Sequence, residues 1–210
     1  MMRAFLAKAA LTVLLVGIAP TGWAAGLFGM LEIRANTIDS IPKWVEALGR
    51  INSENLQGKC SSGQCSNKQQ SWYEMVRDLK GRGRFEQMVA VHRWLNRYKY
   101  ITDDRLWGKS DFWETPGQFV EMSGDCEDYS IAKYYTLRTL GWSDEDLRLV
   151  VLRDTVRDIP HAVLAVNLQG ENYILDNLAS EPLQDTYLRQ YTPYYAVNST
   201  SRWVFIKPIQ

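Results

Sequence analysis

The feature that most constrains the fold is a change in the spacing of apolar residues at Gly141. Before it, apolar side chains recur every three or four positions, which is typical of amphipathic helices. After it, short runs rich in valine, leucine and isoleucine alternate with turn residues, which is typical of strands. Helices followed by strands predict an α+β domain, in which an N-terminal helical lobe packs on a C-terminal antiparallel sheet.

Four segments precede the central part of the chain. Apolar positions at helical spacing run from 27 to 48, although Pro42 limits how continuous a helix there can be. The polar segment 52–68 is predicted to be a loop. Helices are predicted near 71–80 and 84–98, the second with one clearly apolar face.

Two further helices and several strands complete the prediction. Thr115-Pro116 supplies an N-cap and a first-position proline for a short helix ending near Met122. A longer helix is predicted from about Cys126 to Leu140, with Gly141 as its C-cap glycine. Strands are predicted at 147–152, 162–168, 172–175 and 202–207, with Gln169-Gly170 turning the second strand into the third.

The N-terminus has the order of a secretory signal peptide. Arg3 and Lys8 precede an apolar run, and Gly22 and Ala24 supply small residues three and one before a cut after Ala24. A retained membrane anchor is the alternative, but the apolar run is shorter than the roughly 20 residues that a span needs. We therefore expect residues 1–24 to be removed and 25–210 to form one exported domain without membrane insertion.

Composition argues against nucleic acid as a partner. The chain has 24 basic and 24 acidic residues, so it carries no net positive charge to attract phosphates. Its 8 Trp and 11 Tyr are many for 210 residues, and such side chains fill cores or line binding clefts.

Export changes the interpretation of the three cysteines. Cys60 and Cys65 bracket a short polar segment and could form a disulfide in an oxidising compartment, although reduced thiols are the alternative. Cys126 is then an unpaired thiol at the predicted start of a helix. The positive end of a helix dipole and its free N–H groups favour a thiolate, whereas a buried structural cysteine is the bland alternative.

Two residues on neighbouring strands could complete a catalytic set. There are two histidines, and His92 lies within an amphipathic helix as a surface or packing residue. If Gln169-Gly170 is a hairpin turn, His161 lies opposite Leu178 and diagonal to Asp176 on one sheet face. An imidazole could then donate a hydrogen bond to a carboxylate that fixes its tautomer.

Several blocks of sequence resemble the bacterial transglutaminase-like cysteine proteases of the LapG type. The block around the cysteine, Gly124-Asp125-Cys126-Glu127-Asp128-Tyr129, looks like their active-site segment, and the occurrence of all the blocks in this order makes the signal strong. The blocks are Leu106–Gly108, Asp111–Pro116, Gly124–Tyr135, Asp158–Leu164 and Leu175–Asn177.

This resemblance implies a papain-like, transglutaminase-type fold with Cys126 as nucleophile, His161 as base and Asp176 as the residue that orients the base. It further implies a periplasmic endopeptidase that cuts a large surface adhesin near its N-terminus, next to paired alanines, and so releases cells from biofilms. An inner-membrane cyclic-di-GMP receptor of the LapD type would bind and sequester the enzyme. The alternatives are a transglutaminase or peptidoglycan amidase using the same three residues, or an inactive binding module.

The resemblance also implies calcium, with Asp125 and Glu127 as ligands. Carboxylates beside a cysteine raise its pKa by like-charge repulsion, and a bound cation would offset that effect. Asp104 and Asp111 are further candidate ligands that the sequence does not rank. The alternative is that the acids of this segment only stabilise the first turn of a helix.

Overall fold

The computed structural model describes residues 26–207, so the signal peptide predicted at 1–24 lies outside the described residues. Within them, helices form one lobe over a seven-stranded antiparallel sheet with the order β1-β7-β6-β2-β3-β4-β5. The helices are α1 (Pro42–Glu54), α2 (Leu56–Ser61), α3 (Asn67–Leu79), α4 (Arg84–Leu95), α5 (Asp103–Trp107), α6 (Pro116–Met122) and α7 (Cys126–Thr139). The strands are β1 (Leu31–Ala35), β2 (Leu147–Asp154), β3 (Ile159–Leu168), β4 (Glu171–Leu175), β5 (Leu183–Gln184), β6 (Tyr191–Val197) and β7 (Arg202–Ile206).

The helical pattern from 27 to 48 is wrong over its first half. Residues 31–35 form β1, which pairs antiparallel with β7 at the opposite end of the chain. Local apolar spacing does not contain that long-range partner, and the pairing decides the structure. Pro42 instead occupies the first turn of α1, where its missing N–H has no cost.

The predicted loop at 52–68 is also wrong in part. α1 continues to Glu54, α2 follows at once, and α2 buries Leu56 and Cys60 against Trp72 of α3. Cys60 and Cys65 form a disulfide with a Cα–Cα distance of 4.9 Å, so the pairing alternative is the one that the structure contains.

The hairpin between β3 and β4 confirms the turn on which the site prediction depends. Gln169 and Gly170 both have positive φ, 57° and 90°, as a two-residue hairpin turn requires. Leu164 pairs with Leu175, and continuing this register places His161 opposite position 178. The predicted face for His161 is therefore correct.

Each face of the sheet carries its own core. Helices α1, α4, α6 and α7 cover one face with buried side chains such as Trp44, Met88, Phe119 and Leu137. The N-terminal segment covers part of the other face, where Leu27 packs with Val150 and Trp203. No helix among residues 26–207 is long and apolar enough to cross a membrane.

Candidate active site

Cys126 is the first residue of α7, and the backbone before it is tightly held. Ser123 has a positive φ of 69°, and a Cβ placed on Gly124 would lie 2.4 Å from Asp128 Oδ2. Asp128 accepts hydrogen bonds from the backbone N–H of Asp125 at 3.0 Å and of Glu114 at 2.8 Å. The glycine is therefore needed because a buried carboxylate fixes the loop that presents the cysteine.

His161 and Asp176 lie together, as the hairpin register predicts. His161 Nε2 is 2.9 Å from Asp176 Oδ1, and the two residues are 4% and 3% exposed. This contact leaves Nδ1 as the ring nitrogen that is free to exchange a proton with a thiol. An imidazole with a carboxylate behind it has the geometry of a general base whose tautomer is set.

Asp176 has two further partners that keep it ionised. Its Oδ1 also accepts from Leu178 N at 2.9 Å, and its Oδ2 accepts from the hydroxyl of Tyr191. Burial by itself would raise the pKa of Asp176, but hydrogen bonding and attraction from His161, then the bonds from Tyr191 and Leu178, lower it below its ordinary value. The carboxylate is held as an anion facing the imidazole.

One cleft contains both Cys126 and His161. Its volume is about 550 Å³, and Ala162, Val151 and Tyr195 form part of its wall. Ala162 directly follows His161 on β3, so the strand that carries the imidazole also forms a wall of the cleft that holds the Cys126 side chain. The predicted nucleophile, base and orienting residue are thus brought together at one site.

A larger cavity of about 670 Å³ lies elsewhere in the described structure, between Phe28 and the start of β6. Its walls contain neither a cysteine nor a histidine. Size therefore does not identify the site, and the chemistry of the smaller cleft does.

Acidic side chains surround Cys126. The carboxylates of Asp103, Asp125 and Asp128 lie within 4.8 Å of one another, and so do those of Asp103, Asp111 and Glu127. Oδ1 of Asp103 and Oδ1 of Asp125 are buried and have no hydrogen-bond partner. Such a set of unpaired oxygens fits a hard cation such as calcium.

This cluster shifts the pKa values of its members. Burial, and then repulsion from Glu127 and Asp125, raises the pKa of the Cys126 thiol well above its ordinary value, and the thiol donates to Glu127 Oε2 at 3.2 Å. Burial and the proximity of Asp125 raise the pKa of Glu127 to about 9. Protein groups alone therefore favour the thiol over the thiolate.

The structure separates the two further ligand candidates. Asp111 belongs to the cluster and also pairs with Lys43 at the mouth of the cleft. Asp104 is exposed, accepts a hydrogen bond from Thr102 at 2.6 Å, and belongs to none of the carboxylate groups. Sequence reasoning missed Asp103, whose buried side chain accepts from Phe112 N across the loop.

Residues of α4 and α7, together with the C-cap of α4, hold the Asp176 segment in place. Asn96 Nδ2 donates to the carbonyls of Asp176 and Ala179, and His92 Nε2 lies 3.0 Å from Ala179 O. Lys133 is fully buried and donates to Leu175 O at 3.1 Å, and burial lowers its pKa to about 7. The sequence predicts that His92 is either a surface or a packing residue, and its burial makes it a packing residue.

Comparison with known proteins identifies the family. The family model described as bacterial transglutaminase-like cysteine proteinase matches residues 58–209, which include Cys126, His161 and Asp176. The chain is a bacterial transglutaminase-like cysteine proteinase. The proteinase has no match among curated proteins.

Solved structures agree with the family. LapG of Legionella pneumophila is 27% identical to the proteinase, with a TM-score of 0.62. The match covers 72% of the proteinase chain and 86% of the LapG chain. A calcium-bound structure of the same protein is 28% identical over the same shares, with a TM-score of 0.63. An EGTA-treated structure is 27% identical, covers 72% and 84%, and has a TM-score of 0.62. The proteinase therefore has the transglutaminase-like α+β fold predicted from its sequence.

Proposed function

We propose that this cysteine proteinase is a periplasmic, calcium-dependent endopeptidase in which Cys126 is the nucleophile, His161 the base and Asp176 the orienting residue. The observation that carries the proposal is the buried contact between His161 and Asp176 in the cleft that also holds the Cys126 sulfur. Position, burial and hydrogen bonding then match the roles that thiol proteolysis requires.

The chemistry follows from these groups. His161 Nδ1 takes the proton of Cys126, and the sulfur attacks the carbonyl carbon of a peptide bond. The free N–H groups in the first turn of α7 are suited to stabilise the oxyanion that forms. The imidazolium returns its proton to the leaving amine, and Asp176 stabilises the positive ring meanwhile. Water then hydrolyses the thioester, which releases the acid and restores the thiol.

Calcium is proposed on the fit of the acidic cluster. Asp125, Glu127 and Asp111, which the sequence offers as candidate ligands, would hold the ion together with Asp103, which the fold adds to them. When bound, the ion supplies positive charge that counters the repulsion between these carboxylates and the Cys126 thiolate. That a related LapG has been solved in calcium-bound and EGTA-treated forms supports the same ion here.

The substrate and the regulator follow from the family resemblance. We propose a large surface adhesin, cut near its N-terminus next to paired alanines, as the substrate. Sequestration by an inner-membrane cyclic-di-GMP receptor of the LapD type would then tie cleavage, and the release of cells from biofilms, to the nucleotide.

The test is cleavage of an N-terminal adhesin fragment from the same genome, followed by mass mapping of the products. We expect one main cut, its loss in excess EGTA, and its return when calcium is restored. Unchanged cleavage at negligible free calcium would refute the calcium proposal while leaving the proteinase assignment intact. Incorporation of an added primary amine at the cut carbonyl would instead indicate a transglutaminase.

A further inference from the structure

A line of apolar side chains crosses the sheet from the cleft to its edge. In the strand registers Ala162 pairs with Val151, Val151 with Tyr195, Tyr195 with Val204, and Val204 with Ile33. Residues directly opposite one another in antiparallel strands project from the same face. These five side chains, here named the apolar row, therefore form one continuous strip over β3, β2, β6, β7 and β1.

The first part of the apolar row belongs to the candidate active site. Ala162, Val151 and Tyr195 are part of the wall of the cleft that holds Cys126 and His161. Tyr195 lines this cleft together with Asp111 and Glu127. The strip thus begins at the reacting atoms and is continuous with the site.

The second part of the row is exposed. Val204 is 40% exposed and Ile33 is 54% exposed, while Val166 and Val197, which project from the same face nearer the helices, are fully buried. The neighbouring pair on that face, Leu31 and Ile206, adds apolar surface beside them, and Ile206 is 47% exposed. Two adjacent aliphatic pairs on an exposed sheet face form a surface suited to apolar contacts.

We infer that the apolar row is an extended substrate-binding surface, which takes apolar side chains of the polypeptide at a distance from the bond that is cut. This inference rests on the proposed endopeptidase function and adds a specificity element to it. The occupant is the substrate chain itself because the strip starts in the reaction cleft, so a polypeptide leaving the cleft on this side must pass over it.

The length of the apolar row determines which residues of the substrate contact it. Four strand spacings separate Ala162 from Ile33, which is about 19 Å at roughly 4.8 Å per strand. An extended polypeptide rises roughly 3.3 Å per residue, so about six residues bridge that distance. We therefore expect apolar side chains some four to six residues from the scissile bond to contact Val204 and Ile33.

The experiment compares Val204→Asp with a matched control. Leu183 is also 40% exposed and also lies on a strand of this sheet, but β5 is at the opposite edge from β1. Leu183→Asp therefore introduces the same charge at the same exposure away from the row. The double variant Ile33→Thr/Val204→Thr removes apolar surface while it keeps the β-branched shape that strands accept.

The substrates are the N-terminal adhesin fragment and a peptide that ends two residues on either side of the cut. We expect Val204→Asp to lower kcat/KM on the long fragment roughly tenfold, mainly through KM, and the threonine double variant to lower it several-fold. Leu183→Asp should match the wild-type protein, and all variants should cut the short peptide equally. If Val204→Asp lost kcat/KM equally on both substrates, the cause would be a folding defect at β7. The threonine double variant would then decide whether the row binds substrate.

Three results would overturn the inference. If Val204→Asp and the threonine variant both cut the long fragment as fast as Leu183→Asp, the substrate does not use the row. Concentration-dependent self-association that Val204→Asp abolishes would assign the surface to a second copy of this chain. Failure of the wild-type protein to cut either substrate would instead contradict the proposed function on which the inference rests.

Discussion

Replacing Tyr191 by phenylalanine tests whether Asp176 must be held on both of its oxygens. The phenol donates to Asp176 Oδ2, while His161 and Leu178 N occupy Oδ1, so the variant removes one of three partners from a carboxylate that is 3% exposed. A hydrogen bond to a charged group contributes about 1.5–3 kcal/mol. Since about 1.4 kcal/mol corresponds to a factor of ten in rate, complete loss would lower kcat by roughly 10- to 100-fold.

The effect should fall on kcat and not on KM, because Tyr191 is not part of the wall of the cleft that contains Cys126. The same loss should lower the melting temperature by roughly 3–12 °C for a domain of this size. The assay is steady-state cleavage of the adhesin fragment, with thermal unfolding measured in parallel.

Tyr187→Phe is the matched control, since it removes the same hydroxyl from a residue that is 74% exposed. We expect it to match the wild-type protein in both assays. If Tyr191→Phe kept kcat within twofold, the hydroxyl would have no part in positioning the carboxylate, and the reasoning from its hydrogen bond would be refuted.

Three further substitutions test the site from other directions. His161→Ala should abolish cleavage while the protein still folds, and Asp176→Ala should also impair cleavage. An active His161→Ala protein would remove the base from the mechanism. Lys133→Met should remove a rise in stability between about pH 7 and pH 10. The folded-state pKa of Lys133 is about 7 and the unfolded value is roughly 10.4, so in that window the unfolded chain alone holds the proton and a higher pH favours folding. Urea unfolding at pH 7 and pH 9 measures the change in the free energy of unfolding. An equal change in the wild-type protein and in Lys133→Met would contradict the prediction.

Local signals in the sequence were sufficient for the elements that carry the site. The Thr115-Pro116 start of α6 and the start of α7 at Cys126 follow from capping chemistry, which acts over a few residues. The Gln169-Gly170 turn fixes the register that brings His161 to Asp176, because a two-residue hairpin leaves no freedom in pairing.

Long-range pairing explains what the sequence did not show. β1 depends on β7, about 170 residues later, and its own apolar spacing resembles a helix. Tyr191 lies on β6, which has no turn signal to mark its register, so its bond to Asp176 could not be foreseen. A tyrosine at a strand start is too common to indicate a role by itself.

The acidic cluster also combines residues that the sequence shows with a residue that only the fold brings in. Asp125 and Glu127 were visible because they flank the cysteine in sequence. Asp103 joins them because the loop between α5 and α6 folds back on the start of α7. The neighbouring Asp104 belongs to none of the carboxylate groups. Adjacent aspartates have the same composition and different surroundings, which only the fold distinguishes.

The central claim is that Cys126 performs the proteolysis, and the most direct measurement is the cleavage rate of Cys126→Ala beside that of the wild-type protein. Both proteins are incubated with the adhesin fragment at saturating calcium, after thermal unfolding has confirmed that both are folded. We predict that the wild-type protein cuts the fragment and that the folded variant does not. Near-full turnover by Cys126→Ala would contradict the assignment of the nucleophile and, with it, the proposed mechanism.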